Sequence, residues 1–475
     1  MPLIFGDVNM AVFSIIKLSE LEGAKRIDAD YYQPEFELIK RSLKKTGEPL
    51  GNLISYIKHP TEIKRIYETK GVPYILAENI HGNFWILQFT EKRYIAEEVA
   101  TQIPENRLEV SDVLLTRTGA NFGDACVYLE EPYPAYASAH IIIIRPSKIP
   151  GEYLATFFNT WYGKKLIKRG WYGSSQPEIS PTYLVTLPIP QLGIENEITS
   201  IVRNAHDLYR RSQFLYSQAE NLLLEELGLK DFKPKYEKTY TAKLSDAFSA
   251  HRIDAEYFQP AYEEVVEKLR EKNIELKPLR KFILSIQKGI EPGSENYQDE
   301  GKPFIRVSNL SINGFTDRDQ KYLSEELYQQ LRETYEPKQG DFLLTKDATP
   351  GIAYVVKETI EGIIASGILK LQINESEINK EYLALCINSL IGKMQIERDG
   401  GGSVIIHWKP EQVKKLKIPL LPLSTQQKIA SLVQQSHEAR RKAKELLEVA
   451  KKAVETAIER NEKEALDYIS KTEEE

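Results

Sequence analysis

Cysteine is nearly absent from the chain, which has only Cys126 and Cys386, far apart. A disulfide framework or a Cys-based zinc site needs several suitably spaced thiols, so neither is expected, and the scarcity fits a reducing compartment. Long apolar runs are missing too. Val12 to Ile16 is the only apolar run near the N-terminus, too short for a signal-peptide core, and nothing approaches the roughly 18 residues of a membrane span. A soluble, cytoplasmic protein is expected. An excess of positive charge is also lacking: the formal net charge is −6. Taken alone, this argues against a free-standing DNA-binding protein, which should present a basic surface. It leaves room for local basic strips, or for DNA binding inside a larger complex.

Catalytic signatures are missing as well. There is no G-x-x-x-x-G-K-[ST], because Gly163-Lys164 and Gly392-Lys393 lack the upstream glycine and the following hydroxyl. No G-x-G-x-x-G, H-E-x-x-H or G-x-S-x-G occurs. No Pro-Pro is present, so the Pro-Pro signatures of amino-methyltransferases are absent. The seven histidines (His59, His81, His140, His206, His251, His407, His437) have no ligand spacing and no partner in the repeat described below, and are read as surface or core residues. Gly400-Gly401-Gly402-Ser403 suits a loop hinge better than a phosphate cradle, since the first copy offers only Gly173-Ser174-Ser175. Glu62-x-Lys64 after Pro60 is a nuclease fragment of a kind that arises often by chance.

What the chain does have is a long duplication. RIDADYYQPEF from Arg26 returns as RIDAEYFQPAY from Arg252, each preceded by Lys-Leu-Ser at the same distance. GVPYILAENI from Gly71 then pairs with GKPFIRVSNL from Gly301, and DVLLTRTG from Asp112 with DFLLTKDA from Asp341. Glu152-Tyr153-Leu154-Ala155 matches Glu381-Tyr382-Leu383-Ala384, and LPIPQL from Leu187 resembles IPLLPL from Ile418. The offset drifts only from 226 (26 to 252) to 231 (187 to 418). A period this long marks a duplicated domain rather than a solenoid unit. Length agrees, since 475 residues exceed one ordinary core.

Each copy reads in three parts. A short helical lead spans Tyr31 to Lys45 and Tyr257 to Lys272, with Pro34 and Pro260 near its start, where proline is tolerated. A mixed body follows. β-branched and aromatic runs (Val113–Thr116, Ile141–Ile144, Phe342–Thr345, Ile368–Ile373) predict strands, and Glu152–Arg169 and Glu381–Arg398 predict helices. Last comes a long helix. Ile194, Ile198, Ile201, Ala205, Leu208, Ser212, Leu215, Ala219 and Leu222 recur in steps of four and three. So do Ile429, Leu432, Ser436, Ala439, Ala443, Leu446, Ala450 and Ala453. This is a coiled-coil period, and Ser424-x-x-Gln427 has capping-box spacing. A lone amphipathic helix would pack on its own domain; two in one register can pack on each other as a spacer. About 30 residues make a rod of roughly 45 Å, a little over one DNA turn. Lys164, Lys165, Lys168 and Arg169, set among Trp161, Tyr162, Trp171 and Tyr172, suit either nucleic-acid contact or a solvated helix end.

These parts, in this order, resemble the specificity subunit of type I restriction–modification systems over nearly the whole chain. The resemblance rests on the twofold repeat, on the RIDADYYQP and RIDAEYFQP leads, and on GSSQPEISPTYLVTLPIP and GGSVIIHWKPEQVKKLKIPLLPLSTQQKI, each leading into a long helix. It implies an α+β fold, a tandem pseudo-twofold repeat of two target recognition domains separated by two long antiparallel coiled-coil helices. The implied boundaries are a lead region 1–48, recognition domain 49–190, spacer helix 191–230, second lead 231–277, recognition domain 278–422 and spacer helix 423–475. Each domain would read one half of a bipartite double-stranded DNA target while the helices set the gap. The chain would be non-catalytic and carry no cofactor. It would dock two modification (methyltransferase) subunits that use S-adenosylmethionine, with restriction subunits possible that use ATP and Mg. Those partners would supply most of the phosphate neutralisation that this acidic chain lacks.

The resemblance does not fix the base-reading residues, so chemistry selects them: Arg and Lys suit guanine, Asn and Gln suit adenine. The candidates are Arg65, Arg117, Asn121 and Gln176 in the first copy and Lys288, Arg306, Asn309, Lys346 and His407 in the second. Lys164, Lys165, Ser174, Ser175 and Ser403 are candidates for phosphate contact. Arg117-Thr118 against Lys346-Asp347 suggests unlike half-sites. Ile198, Ile201, Leu208, Leu215, Leu222, Ile429, Leu432 and Leu446 are the expected spacer contacts. Alternatives at this point are a recognition subunit of a related defence methyltransferase without a motor, an enzyme with an unrecognised site, and a coiled-coil scaffold with no DNA role.

Overall fold

The structure is a computed structural model, and it describes residues 15–21, 26–43, 46–81, 85–87, 93–119, 121–129, 132–172, 177–317, 319–400 and 407–474. The main elements begin with α1 (Pro34–Leu43), β1 (Ile54–Lys58), β2 (Val113–Thr116), β3 (Ala125–Val127), β4 (Ile141–Pro146), α2 (Gly151–Asn159), α3 (Trp161–Arg169) and the long helix α4 (Glu195–Glu226). The series repeats as α5 (Pro260–Glu271), β5 (Ile283–Lys288), β6 (Phe342–Thr345), β7 (Ala353–Val355), β8 (Ile368–Ile373), α6 (Lys380–Asn388), α7 (Leu390–Gly400) and the long helix α8 (Leu423–Glu459). A final helix α9 spans Glu462–Glu474. The chain forms two compact units, Met1–Tyr209 with Arg440–Glu475, and Arg210–Ala439. This division differs from the sequence partition because each unit takes in a part of both long helices.

In the first unit an antiparallel sheet runs β1-β4-β2-β3; in the second the order is β5-β8-β6-β7. The reason is legible in the strands. Val113, Leu115, Ile142 and Ile144 enter the large core shared with α2, α3 and the long helices, while Leu114, Ile141 and Ile143 fill a second core on the other face. Phe342, Leu344, Leu369 and Leu371 against Leu343 and Ile368 repeat the arrangement. Alternate side chains point to opposite faces, so a strand buried on both faces needs an unbroken apolar run. A smaller three-stranded sheet joins Tyr94–Ile95, Val72–Ile75 and Tyr136–Ala137, matched by Lys321–Leu323, Lys302–Ile305 and Ile363–Ile364. A two-stranded ribbon pairs Gly47–Pro49 with Pro188–Pro190, and another pairs Glu275–Pro278 with Lys417–Leu420.

The duplication extends to single hydrogen bonds. The Tyr153 hydroxyl donates to the Pro190 carbonyl at 2.7 Å and the Tyr382 hydroxyl to that of Pro419 at 2.8 Å. The Asn159 amide donates to Ala125 O and the Asn388 amide to Ala353 O, both at 2.8 Å, tying a helix end to a strand.

In the first unit the early turns of α4 lie antiparallel to the later turns of α8. The Arg440 guanidinium stacks over Tyr209 at 5.0 Å, and Gly193 lies against Glu462. In the second unit Ser436 Oγ donates to Ser212 O at 2.6 Å. Ile198, Ile201, Leu215 and Ile429 are buried as expected, but Leu208, Leu222, Leu432 and Leu446 are only half-buried. Their neighbours Val202, Tyr209, Leu223, Val433 and Leu447 are buried instead. The apolar stripe is wider than a two-helix seam because each helix packs both on the other and on the body of the unit. The expected capping box is not formed. α8 begins at Leu423, which puts Ser424 inside the first turn, and buried Gln426 anchors the start by donating to Leu421 O at 2.9 Å.

Candidate nucleic-acid interface

In the first unit the last residue of β2 hands over to Arg117, whose backbone N–H donates to His140 O at 2.8 Å. That bond sets Arg117 beside the strand that starts at Ile141. Its side chain then joins two distant segments: Nη1 meets His59 Nε2 at 2.7 Å, and Nη2 pairs with Glu178 Oε2 at 2.7 Å. The same His59 nitrogen lies 2.8 Å from Ala139 O, so it stands between a group that can only donate and one that can only accept. Burial, and then the Arg117 charge, push His59 below its ordinary range. His140 extends the cluster, with Nδ1 at 2.8 Å from Thr118 Oγ1 and Nε2 at 3.1 Å from Arg65 Nη2. The Tyr172 hydroxyl donates to Glu178 Oε2 at 3.2 Å. The structure thus gathers Arg65 and Arg117 with His59, Thr118, His140, Tyr172 and Glu178, a polar cluster on loops at one end of a rigid sheet.

In the second unit the equivalent position, 229 residues on, is Lys346. Its backbone N–H donates to Gly367 O at 2.9 Å and its carbonyl accepts from Trp408 N at 2.8 Å. Lys346 and His407 both engage Asp347, the latter through Nδ1 at 2.9 Å. Burial alone would raise Asp347, but the bonds from Lys346 and His407 outweigh it and hold the carboxyl below its ordinary range. His407 also stands 229 positions beyond Glu178. Both units therefore tie the same two loops with an ionisable pair, but the polarity is reversed: Arg117 to Glu178 in the first, Asp347 to His407 in the second.

Other expected contacts sit elsewhere. Lys288 is exposed at the end of β5. Arg306 pairs with Asp319 at 2.9 Å, with its Nε buried and without a partner. Lys164 pairs with Asp124, and Lys165 with Glu35 at 2.7 Å, so these two lysines of α3 serve carboxylates of their own unit. The Asn121 amide donates to Ile80 O at 3.0 Å and, at 3.4 Å, to Ala77 O, which holds a loop rather than projecting from it. Asn309 needs correction as a base reader. It is 1% exposed, accepts from Arg306 N at 3.1 Å and donates to Thr316 O at 3.2 Å. Asn79, its counterpart in the first copy, accepts from Leu76 N at 2.9 Å in the same turn. Ser174, Ser175, Gln176 and Ser403 lie outside the described residues.

The repeated Arg-Ile-Asp block is a lock. Arg26 grips Asp28 through two 2.8 Å contacts and stacks over Tyr31 at 4.6 Å. Arg169, from the end of α3, covers the same ring at 4.2 Å, donates to Tyr31 O at 3.0 Å and pairs with Glu37 on α1. In the second copy Arg252 grips Asp254, while Arg252 and Arg398 stack on Tyr257 at 4.6 and 4.5 Å. An arginine–tyrosine–arginine stack thus fastens each lead helix to its body.

Among the described residues no group of His, Cys, Asp and Glu could hold a metal ion, and no helix is long and apolar enough to cross a membrane. Residues 272–465 match the family model described as "Type I restriction modification DNA specificity domain". The chain is 23% identical over 423 residues to the "Putative type I restriction enzyme MjaX specificity subunit" of Methanocaldococcus jannaschii, covering 85% of this chain and 90% of that one. Similar solved structures include a type I restriction–modification S subunit from M. genitalium (12% identity, 87% of this chain and 94% of that one, TM-score 0.40). Another is the HsdS subunit from Thermoanaerobacter tengcongensis (15% identity, 86% and 95%, TM-score 0.27).

Proposed function

We infer that this chain, a member of the type I restriction–modification specificity family, is the DNA sequence-recognition subunit of such a complex. The observation that carries the reading is the combination of the match over residues 272–465 with an internal repeat that reproduces the sheet order and anchoring bonds of the matched body in the first copy. One scaffold is used twice, and the loops at the sheet ends carry different chemistry, as two unlike half-sites require. Phosphate contacts position a protein on DNA and base-edge contacts give sequence. With its net charge of −6, this chain supplies the second kind, and partner subunits that enclose the duplex supply most of the first.

In this proposal the chain is non-catalytic and cytoplasmic, and carries no cofactor. Two methyltransferase subunits dock on its two equivalent units and bring S-adenosylmethionine; restriction subunits that join them bring ATP and Mg. The long helices set the gap between the half-sites. Co-expression with its cognate methyltransferase subunit, followed by mapping of methylated adenines in host DNA, tests the reading. One split motif with a fixed gap is expected. An intact methyltransferase that yields no motif would overturn it.

A further inference from the structure

We propose that His407 is the base-reading acceptor of the second unit, that Asp347 is its positioning residue, and that the pair selects a base bearing a major-groove amino group, adenine or cytosine. This rests on the reading above and adds to it a residue and a base class. The backbone on either side of the pair is pinned: Lys346 N to Gly367 O at 2.9 Å and Trp408 N to Lys346 O at 2.8 Å. Trp408 is itself 1% exposed, with its indole N–H on Asp399 at 3.2 Å. His407, in contrast, leaves 68% of its side chain exposed and is held through Nδ1 to Asp347. A solvent-facing side chain on a rigid mount is preorganised for recognition.

The partner fixes the tautomer. Asp347 is a carboxylate, held ionised by Lys346 and His407 against the opposing effect of burial, and a carboxylate can only accept. Nδ1 must therefore carry hydrogen; with the imidazole taken as neutral, Nε2 is then the lone-pair acceptor. In the major groove, adenine N6 and cytosine N4 present donors, while guanine O6 and thymine O4 present acceptors. An Nε2 lone pair is matched to the first pair and repelled by the second. The equivalent place in the first unit holds Glu178, clasped by Arg117 and Tyr172, so the selection belongs to one half-site.

The test is methylation mapping of the complex carrying His407→Ala, His407→Gln or Asp347→Asn. His407→Ala should keep the first half-site and the gap, while the preference at one position of the second half-site falls about tenfold, the scale of a single lost base contact. Asp347→Asn should blur the same position, since an amide accepts either tautomer. His407→Gln, which retains an acceptor, should restore part of the preference. If His407→Ala fails to assemble, Asp347→Asn alone decides. Variants that assemble and keep every position of the motif, or that change only the first half-site, would overturn the inference. A wild-type complex with no split motif would instead overturn the functional reading beneath it.

Discussion

The two stacked locks offer a stability experiment with an internal control. The Arg169 side chain is 2% exposed and that of its partner Glu37 20% exposed; for Arg398 and Glu263 the figures are 26% and 55%. Consider Arg169→Met and Arg398→Met, which keep an apolar stem over the tyrosine ring but remove the guanidinium. Breaking a buried pair costs about 3–5 kcal/mol, but Glu37 is partly hydrated and the buried cation leaves too, so about 3 kcal/mol is expected for Arg169→Met. An exposed pair contributes about 0–1 kcal/mol. With the lost bond to Tyr257 O, Arg398→Met should cost about 1 kcal/mol. The difference, about 2 kcal/mol, is roughly 30-fold in an opening equilibrium. Native-state hydrogen exchange read separately on α1 and α5 peptides measures it. Exchange in α1 should rise far more in Arg169→Met than exchange in α5 does in Arg398→Met. Equal increases, or a larger one in α5, would show that burial of these pairs does not set the strength of the locks.

Asn309→Ala and Asn79→Ala should each destabilise their unit by about 1–3 kcal/mol, by stranding the buried groups of a turn, and both should leave the methylated motif unchanged; altered bases with Asn309→Ala would show it to be a reader. Ile198→Ala and Ile429→Ala, at sites 0% exposed, should each cost about 2–5 kcal/mol in urea unfolding. His59 is held below its ordinary range, so the unfolded chain gains its proton first: its contribution to stability is present above about pH 6.5 and is lost as pH falls below that value. NMR titration of its ring, with unfolding at pH 7.5 and 5.5, checks the sign. Asp28 and Asp254 are also held below the ordinary range, chiefly by hydrogen bonds from Arg26 and Arg252. Their contribution is present above about pH 4 and is lost on further acidification, so protection of the Tyr31 and Tyr257 amides, corrected for intrinsic exchange, should fall there.

The parts of this protein that sequence reveals are those governed by nearest neighbours. Unbroken runs such as Ile141 to Ile144 announced strands, and the structure buries them on both faces. Steps of three and four announced α4 and α8, and Pro34 and Pro260 stand at the first helical residue of α1 and α5. The candidate site was legible only in fragments. Arg65, Arg117, Lys346 and His407 were suggested by side-chain chemistry; His59, His140, Glu178 and Asp347 were passed over because nothing local distinguishes them. One signal was present and underused. Positions alike in both copies, such as Asn79 and Asn309, hold the scaffold, and positions that differ, such as Glu178 and His407, are free to carry selectivity.

The chain by itself determined the duplication, the order of elements and the lack of any catalytic signature, because each is a pattern along the backbone. Tertiary structure decided which charges meet. Arg117 reaches Glu178, and Asp347 reaches His407, only after β2 and β6 are placed in their sheets and the following helices fold back. Each tie spans about sixty residues of chain (117 to 178, 347 to 407). Such a contact depends on packing of both sheet faces rather than on residue type at either end. Packing also widened the helix stripe, buried Asn309, and turned the Arg-Ile-Asp blocks into locks, since each block is completed by an arginine at the far end of its own unit's body.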